Sequence, residues 1–181
     1  ESEVIYEDET VIVKTIPLNH RIYTNGFLFQ EKLRERKINS VAVQNYEIDK
    51  CYYQNIKNGK DIRLDNGLVI ANELLSLDPI PPLSYAFCSD TSYSETIIPI
   101  INKVDVLYHE ATFLESELVL AQKTMHSTAI QAATIALKAN VKQLIVGHYS
   151  TRYENISDFK TEAETVFLNV TLADDGKSFD F

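Results

Sequence analysis

The chain has 181 residues, 45% of them hydrophobic and 24% charged, with a formal net charge of −9. This is the composition of a globular domain with a sizeable core, and no apolar run approaches the roughly 18 residues that a membrane-spanning helix needs. The acidic balance excludes nucleic-acid binding through the overall surface field but leaves room for a local basic patch.

Positive side chains gather at Lys32, Arg34, Arg36 and Lys37, and again at Lys57, Lys60 and Arg63. Both groups read as solvated helix and turn surface. The chain opens on ESEVIYEDET, with neither a signal peptide nor an initiator methionine, and is expected to be processed or cut from something longer. Cys51 and Cys88 make no disulfide framework, which points to a reducing, cytoplasmic setting, and neither lies in a CxxC that would hold zinc.

In chain order, ETVIVKTIPL (9–18) alternates as a strand, and NGFLFQEK (25–32) follows a turn at Asn25-Gly26 as a second one. LRERKINSVAVQNYEID reads as a short helix and a loop, and CYYQNIKNG as a short helix closed by Gly59. The DNG at 65–67 predicts a tight turn before LVIA, and the three prolines of DPIPPLS (78–84) forbid a regular ladder.

The second half is more regular. SYAFCSD (84–90), VDVLYHEAT (104–112) and VKQLIVGHYS (141–150) are strands that run into polar residues. SETIIPIINK (94–103) predicts a short helix disturbed by Pro99. STAIQAATIALKAN (127–140) predicts a helix with a Thr128–Gln131 capping box and Asn140 at its exit. SDFKTEAETVF (157–167) predicts a helix capped by Asp or Ser, and VTLADDGKSFDF a closing turn and strand. Strand and helix alternating in short order imply a layered α/β sheet.

The four histidines occupy telling positions. His20, His109 and His148 follow strands, His126 precedes the helix at 127–140, and Asp90 ends SYAFCS as the histidines end theirs. Layered α/β proteins gather their sites at such strand ends. One histidine there reads most simply as a satisfied edge residue; several together with a carboxylate make a set that zinc accepts. No HxH or HExxH is present.

The segments FCSDT, LYHEATF, MHSTAIQAA, LIVGHYSTRY and LADDG resemble, in order, the C-terminal half of ribonuclease Z, the tRNA 3′-processing endonuclease family of the metallo-β-lactamase superfamily. IPLNHRIYTNGFLF is similar to the family's earlier segment, in which a metal-binding histidine precedes a glycine-aromatic strand, so the resemblance runs from about residue 10 to the end. It implies an α/β fold of the metallo-β-lactamase type, an αββα sandwich, with residues 1–181 forming roughly the C-terminal half of one domain.

The resemblance also implies residue roles. His20 would bind one zinc ion, His148 the other, and Asp90 would bridge the two; His126 would be the catalytic histidine near the scissile phosphate; His109 and Glu110 would support the site; and Arg152 would touch phosphate. The family's HxHxDH stretch is absent here and is expected before residue 1. In place of the family's tRNA-gripping arm stands EKLRERKINSVAVQNYEID, without the usual glycine-proline pattern, so a short or altered arm is expected.

The implied activity is hydrolysis of the 3′ trailer of precursor tRNA by a water that two zinc ions activate. The chain by itself, short of metal ligands, is expected to be inactive, and its uncovered half-sheet to pair with another copy as a homodimer. Two other readings stand beside this one: a phosphodiesterase of the same superfamily acting on small phosphodiesters, and a non-catalytic assembly module.

Overall fold

The computed structural model describes residues 1–180. They form two compact units, one of Glu1–Glu31 with the chain from Leu83 onward, the other of Lys32–Pro82. The chain begins with strands β1 (Val4–Glu7), β2 (Val11–Pro17) and β3 (Asn25–Glu31).

The inserted unit follows. It comprises β4 (Lys37–Ile38), α1 (Ser40–Asn45), α2 (Tyr53–Lys57), the pair β5 (Ile62–Arg63) and β6 (Val69–Ile70), α3 (Asn72–Leu75) and β7 (Ser76–Leu77). Its core is Val43, Ile48, Ile56, Ile62, Ile70 and Leu75. Gly67, with φ +86°, makes the turn that the DNG predicts between β5 and β6.

The larger unit resumes with β8 (Ser84–Cys88), β9 (Val106–Glu110), α4 (Leu118–Thr124), α5 (Ala129–Lys138), β10 (Gln143–Gly147), α6 (Ser157–Ala163) and β11 (Val170–Leu172). Its seven strands form one sheet in the order β1-β2-β3-β8-β9-β10-β11. β8, β9, β10 and β11 are mutually parallel, and β3 runs antiparallel to both β2 and β8. The chain therefore leaves β2, β8, β9 and β10 at the same edge of the sheet. The register is close: Cys88 and Val146 both face His109, and Gly147 faces Glu110.

The core lies between the sheet and its helices. α5 buries Ala129, Ala132, Ala133, Ile135 and Ala136, the spacing of one helical face, and the alanines let the helix sit close to Leu107, Leu144 and Val146. Thr128 and Gln131 form the expected capping box, and Asn140 takes φ +52° at the exit. Phe159 of α6 is fully buried against the same cluster, and such a side chain contributes about 1.5–3 kcal/mol on leaving water.

Several expectations are corrected. The helix expected at 94–103 is only a 3₁₀ turn, Glu95–Ile97, followed by turns, because Pro99 has no N–H to continue a ladder. α6 is not capped by Asp or Ser: Ile156 holds the cap position without a side-chain hydrogen bond, and Ser157 lies inside the first turn. β11 precedes the last turn, and no strand follows it among the described residues. The strand β1 and the helix α4 have no counterpart in the sequence reading, because β1 is exposed along its whole length and α4 spans only two turns.

Candidate metal centre

The shared sheet edge collects the residues expected from the sequence. Asp90 follows β8, Glu110 ends β9, His148 follows β10, and His126 joins α4 to α5. These four place a ligand atom each within 4.8 Å of one another. His20, in the loop after β2, stands outside that group but beside it: its ring lies 5.1 Å from that of His126, which lies 5.4 Å from that of His148.

Hydrogen bonds decide which nitrogen each ring presents. His20 Nδ1 meets the Met125 carbonyl at 3.0 Å, and a carbonyl only accepts, so Nδ1 carries the proton. His126 Nδ1 donates to the Glu110 carboxylate, at 3.0 and 3.1 Å from its two oxygens. His148 Nδ1 lies 2.8 Å from the Thr112 hydroxyl, whose proton is already given to Glu110 Oε2, so Nδ1 is again the donor. In its neutral form each of the three rings thus keeps Nε2 as a bare electron pair.

For His148 this has a sharp consequence, because its Nε2 sits 3.2 Å from Asp90 Oδ1. Two acceptors facing each other at that distance repel unless a proton on Nε2 or a metal ion between them satisfies both. The donor set therefore fits a metal ion: imidazole Nε2 and carboxylate oxygen are zinc donors, and a ligating histidine typically gives its other N–H to a neighbouring acceptor. Backbone geometry points the same way. Asp90, Met125 and His148 have φ of +57°, +60° and +63°, left-handed values that cost non-glycine residues energy and cluster at functional sites.

Glu110 is the hub. It is fully buried, and it also accepts hydrogen bonds from the N–H groups of Thr91 and Ser127. Asp90 and His148 are half exposed, at 49% and 40%, so solvent and substrate reach the cluster from their side.

The structure separates His109 from Glu110. Successive strand residues face opposite ways, and His109 is fully buried away from the cluster. Its Nδ1 donates to the Glu110 carbonyl, its Nε2 has no partner among the described residues, and burial, the largest influence, pulls its pKa down. Arg152 also lies outside the group: its guanidinium is 3.3 Å from Glu117 and 5.2 Å above the Phe113 ring. The sequence reading passed over Thr112, Thr91 and Ser127. For Thr112 the signal was present, since it stands two residues past Glu110, in phase with it along the strand.

No protein-family profile matches the chain. Over nearly its whole length it is 48% identical to Ribonuclease Z of Bacteroides fragilis, 43% to that of Porphyromonas gingivalis and 41% to that of Cytophaga hutchinsonii, covering 96%, 98% and 98% of this chain. The chain spans only 57%, 58% and 57% of those relatives' own lengths.

Among solved structures, the metallo-β-lactamase fold protein YhfI from Bacillus subtilis matches 97% of this chain and 52% of its own, with TM-score 0.62 and 15% identity. Human tRNase Z, short form, matches 96% of this chain and 44% of its own, with TM-score 0.53 and 22% identity. By sequence and by fold, the chain belongs with the ribonuclease Z family of the metallo-β-lactamase fold, as a stretch a little over half the length of its curated relatives.

Proposed function

We propose that the complete protein is a zinc-dependent endoribonuclease of the cytoplasm that removes the 3′ trailer from precursor tRNA. The observation that carries this reading is the convergence of Asp90, Glu110, His126 and His148 at one sheet edge, in a chain 41% to 48% identical to proteins named Ribonuclease Z.

In this reading His20, Asp90 and His148 would hold the metal, with Asp90 as the carboxylate shared between the two ions. Zinc bound there supplies a water of lowered pKa and counter-charge for the phosphate. The chain's own groups do the rest. His126, oriented through Nδ1 by Glu110, would in its protonated form carry an Nε2–H to give to the leaving 3′ oxygen. Thr112 fixes the His148 ring from behind, and the buried Glu110 holds both rings at once.

The donors named here do not complete two zinc sites, each of which wants about four. The part of the relatives' length that this chain does not span is read as the source of the remaining donors, so the chain alone is inactive. The sheet face that bears Tyr85, Phe87, Tyr108 and Ile145, around a cleft of about 390 Å³, is the surface that the rest of the sandwich would cover. Association of two copies as a homodimer belongs to the same reading.

The test is cleavage by the full-length protein with zinc, on a 3′-extended precursor tRNA and on a small chromogenic phosphodiester side by side. Endonucleolytic cutting of the tRNA is the expected result. Turnover of the small diester with intact tRNA would move the assignment to small phosphodiesters, and efficient tRNA cutting by residues 1–181 alone would overturn the claim of an incomplete centre.

A further inference from the structure

Two clefts meet at His126, and their chemistry differs. One, of about 320 Å³, is lined by Asn19, Ser92, Gln122 and Gln131 and contains no Asp, Glu, Lys or Arg side chain. The other, of about 500 Å³, is lined by Arg21, Lys123, Ser150 and Thr151 together with His126 and His148, and no carboxylate lines it. A cleft walled by two cations and free of acid is a local inversion of charge in a chain of net charge −9.

Arg21 and Lys123 are exposed and make no ion pair among the described residues, whereas Lys138, Lys142, Arg152 and Lys160 are each within 4.0 Å of a carboxylate. Arg152 is therefore held by Glu117 at 3.3 Å and is the poorer candidate for a phosphate contact. The segments that carry Arg21 and Lys123 are joined by a feature of the site itself. Arg21 directly follows His20, Lys123 lies in the last turn of α4 just before Met125, and the hydrogen bond from His20 Nδ1 to the Met125 carbonyl ties these two segments together.

We propose that Arg21 and Lys123 form a phosphate subsite that holds the nucleotide phosphate next to the scissile bond, with the Ser150 and Thr151 hydroxyls able to donate to the same oxygens. The proposal rests on the endoribonuclease reading for the identity of the ligand as single-stranded RNA. It adds the side of His126 on which the neighbouring phosphate lies. Phosphate contacts of this kind position a strand without reading its sequence, so the subsite serves any 3′ trailer.

The test is a binding measurement that needs neither metal nor cleavage. A fluorescein-labelled single-stranded RNA oligonucleotide is titrated with the chain at several KCl concentrations, and log K is plotted against log salt. Each phosphate contact contributes about 0.7 to the slope for single strands. Arg21→Ala and Lys123→Ala are each expected to flatten it by about that amount, the double variant by about twice that amount, and Arg21→Lys to restore it. Lys103→Asn, at the far end of β9, is expected to leave the slope unchanged; asparagine tolerates the left-handed φ of +61° there.

In the full-length protein the double variant should raise KM for precursor tRNA far more than it lowers kcat. Failure of the wild-type chain to bind RNA, or an unchanged slope in the double variant, would overturn the subsite. A flattened slope with no tRNA cleavage by the wild-type full-length protein would leave the subsite standing and sink the endoribonuclease reading instead.

Discussion

Glu110 holds His126 through both of its carboxylate oxygens, 3.0 and 3.1 Å from Nδ1, and through the Thr112 hydroxyl it reaches His148 as well. One buried side chain thus sets the orientation of two imidazoles. Glu110→Gln replaces an all-acceptor group by one that must aim an NH₂ at a ring of donors that includes the Thr91 and Ser127 N–H groups. Leaving such buried groups unsatisfied costs about 1–3 kcal/mol. The variant is expected to melt earlier in a thermal scan and, in the full-length protein, to bind zinc about 10–100-fold more weakly by calorimetry. Unchanged melting and zinc affinity would show that the carboxylate is not the hub.

Thr112→Val is a narrower cut. It removes the hydroxyl between Glu110 and His148 while leaving the bonds that Glu110 accepts from His126 and Ser127 in place. Stability should fall by about 1 kcal/mol, with a drop in zinc affinity smaller than that of Glu110→Gln. Because both changes act on His148 through one chain of hydrogen bonds, their effects on zinc affinity should be less than additive when combined. Strict additivity in a double-mutant cycle would sever the proposed connection.

His126→Ala separates the proton-handling role from metal binding. In the full-length protein, turnover of precursor tRNA is expected to fall by about 10²–10⁴-fold, the usual contribution of a positioned acid or base. Bound zinc, measured by atomic absorption, should stay near the wild-type level. Parallel loss of zinc and activity would make His126 a ligand first, which its place among the four clustered donors also permits.

Asp105 gives a prediction about pH. It anchors the start of β9 to β8: its Oδ2 accepts from the Ser84 N–H and hydroxyl at 2.7 Å each, and Lys142 pairs with Oδ1. Burial pushes its pKa up, yet the bonds from Lys142 and Ser84 outweigh that, and the net shift is downward from 3.8. A carboxyl whose folded pKa lies below its unfolded one stabilises the fold fully above the unfolded value, and that stability is lost as pH falls through the folded value. Asp105→Asn should therefore destabilise the chain at neutral pH and flatten the loss of stability below about pH 4. Denaturant melts at pH 7 and pH 3 that show the same difference between variant and wild type would contradict it.

Much of this arrangement is legible in the sequence because it depends on where strands end. Apolar runs into Asp90 and His148 give strand and site together, and the parallel register of β8, β9 and β10 then brings those ends into line. The α5 helix is legible through its capping box and alanine face. What the sequence does not yield is the division of labour between adjacent residues. His109 and Glu110 look alike as a pair of polar letters, and only the strand's alternation sends one into the core and the other to the cluster. The cations of the cleft are equally silent, since Arg21 and Lys123 lie 102 positions apart and line one cleft only once the chain is folded.

Gly26 tests how tightly the sheet holds that edge. A Cβ on Gly26 would lie 2.3 Å from the carbonyl oxygen of Phe87 and 3.4 Å from the Cα of Cys88, both backbone atoms of β8 that cannot swing aside. Gly26→Ala must push β3 and β8 apart just where β8 delivers Asp90, and overpacking of this kind costs about 1–3 kcal/mol. Gly67→Ala makes the contrast, because a Cβ there meets nothing within 4 Å and the only penalty is its φ of +86°, about 1 kcal/mol. Both variants should lower the denaturation midpoint. Only Gly26→Ala should also weaken zinc binding in the full-length protein, because only it displaces a strand that ends at the cluster; equal zinc affinity in the two variants would mean that Asp90 is placed by its own loop rather than by β8.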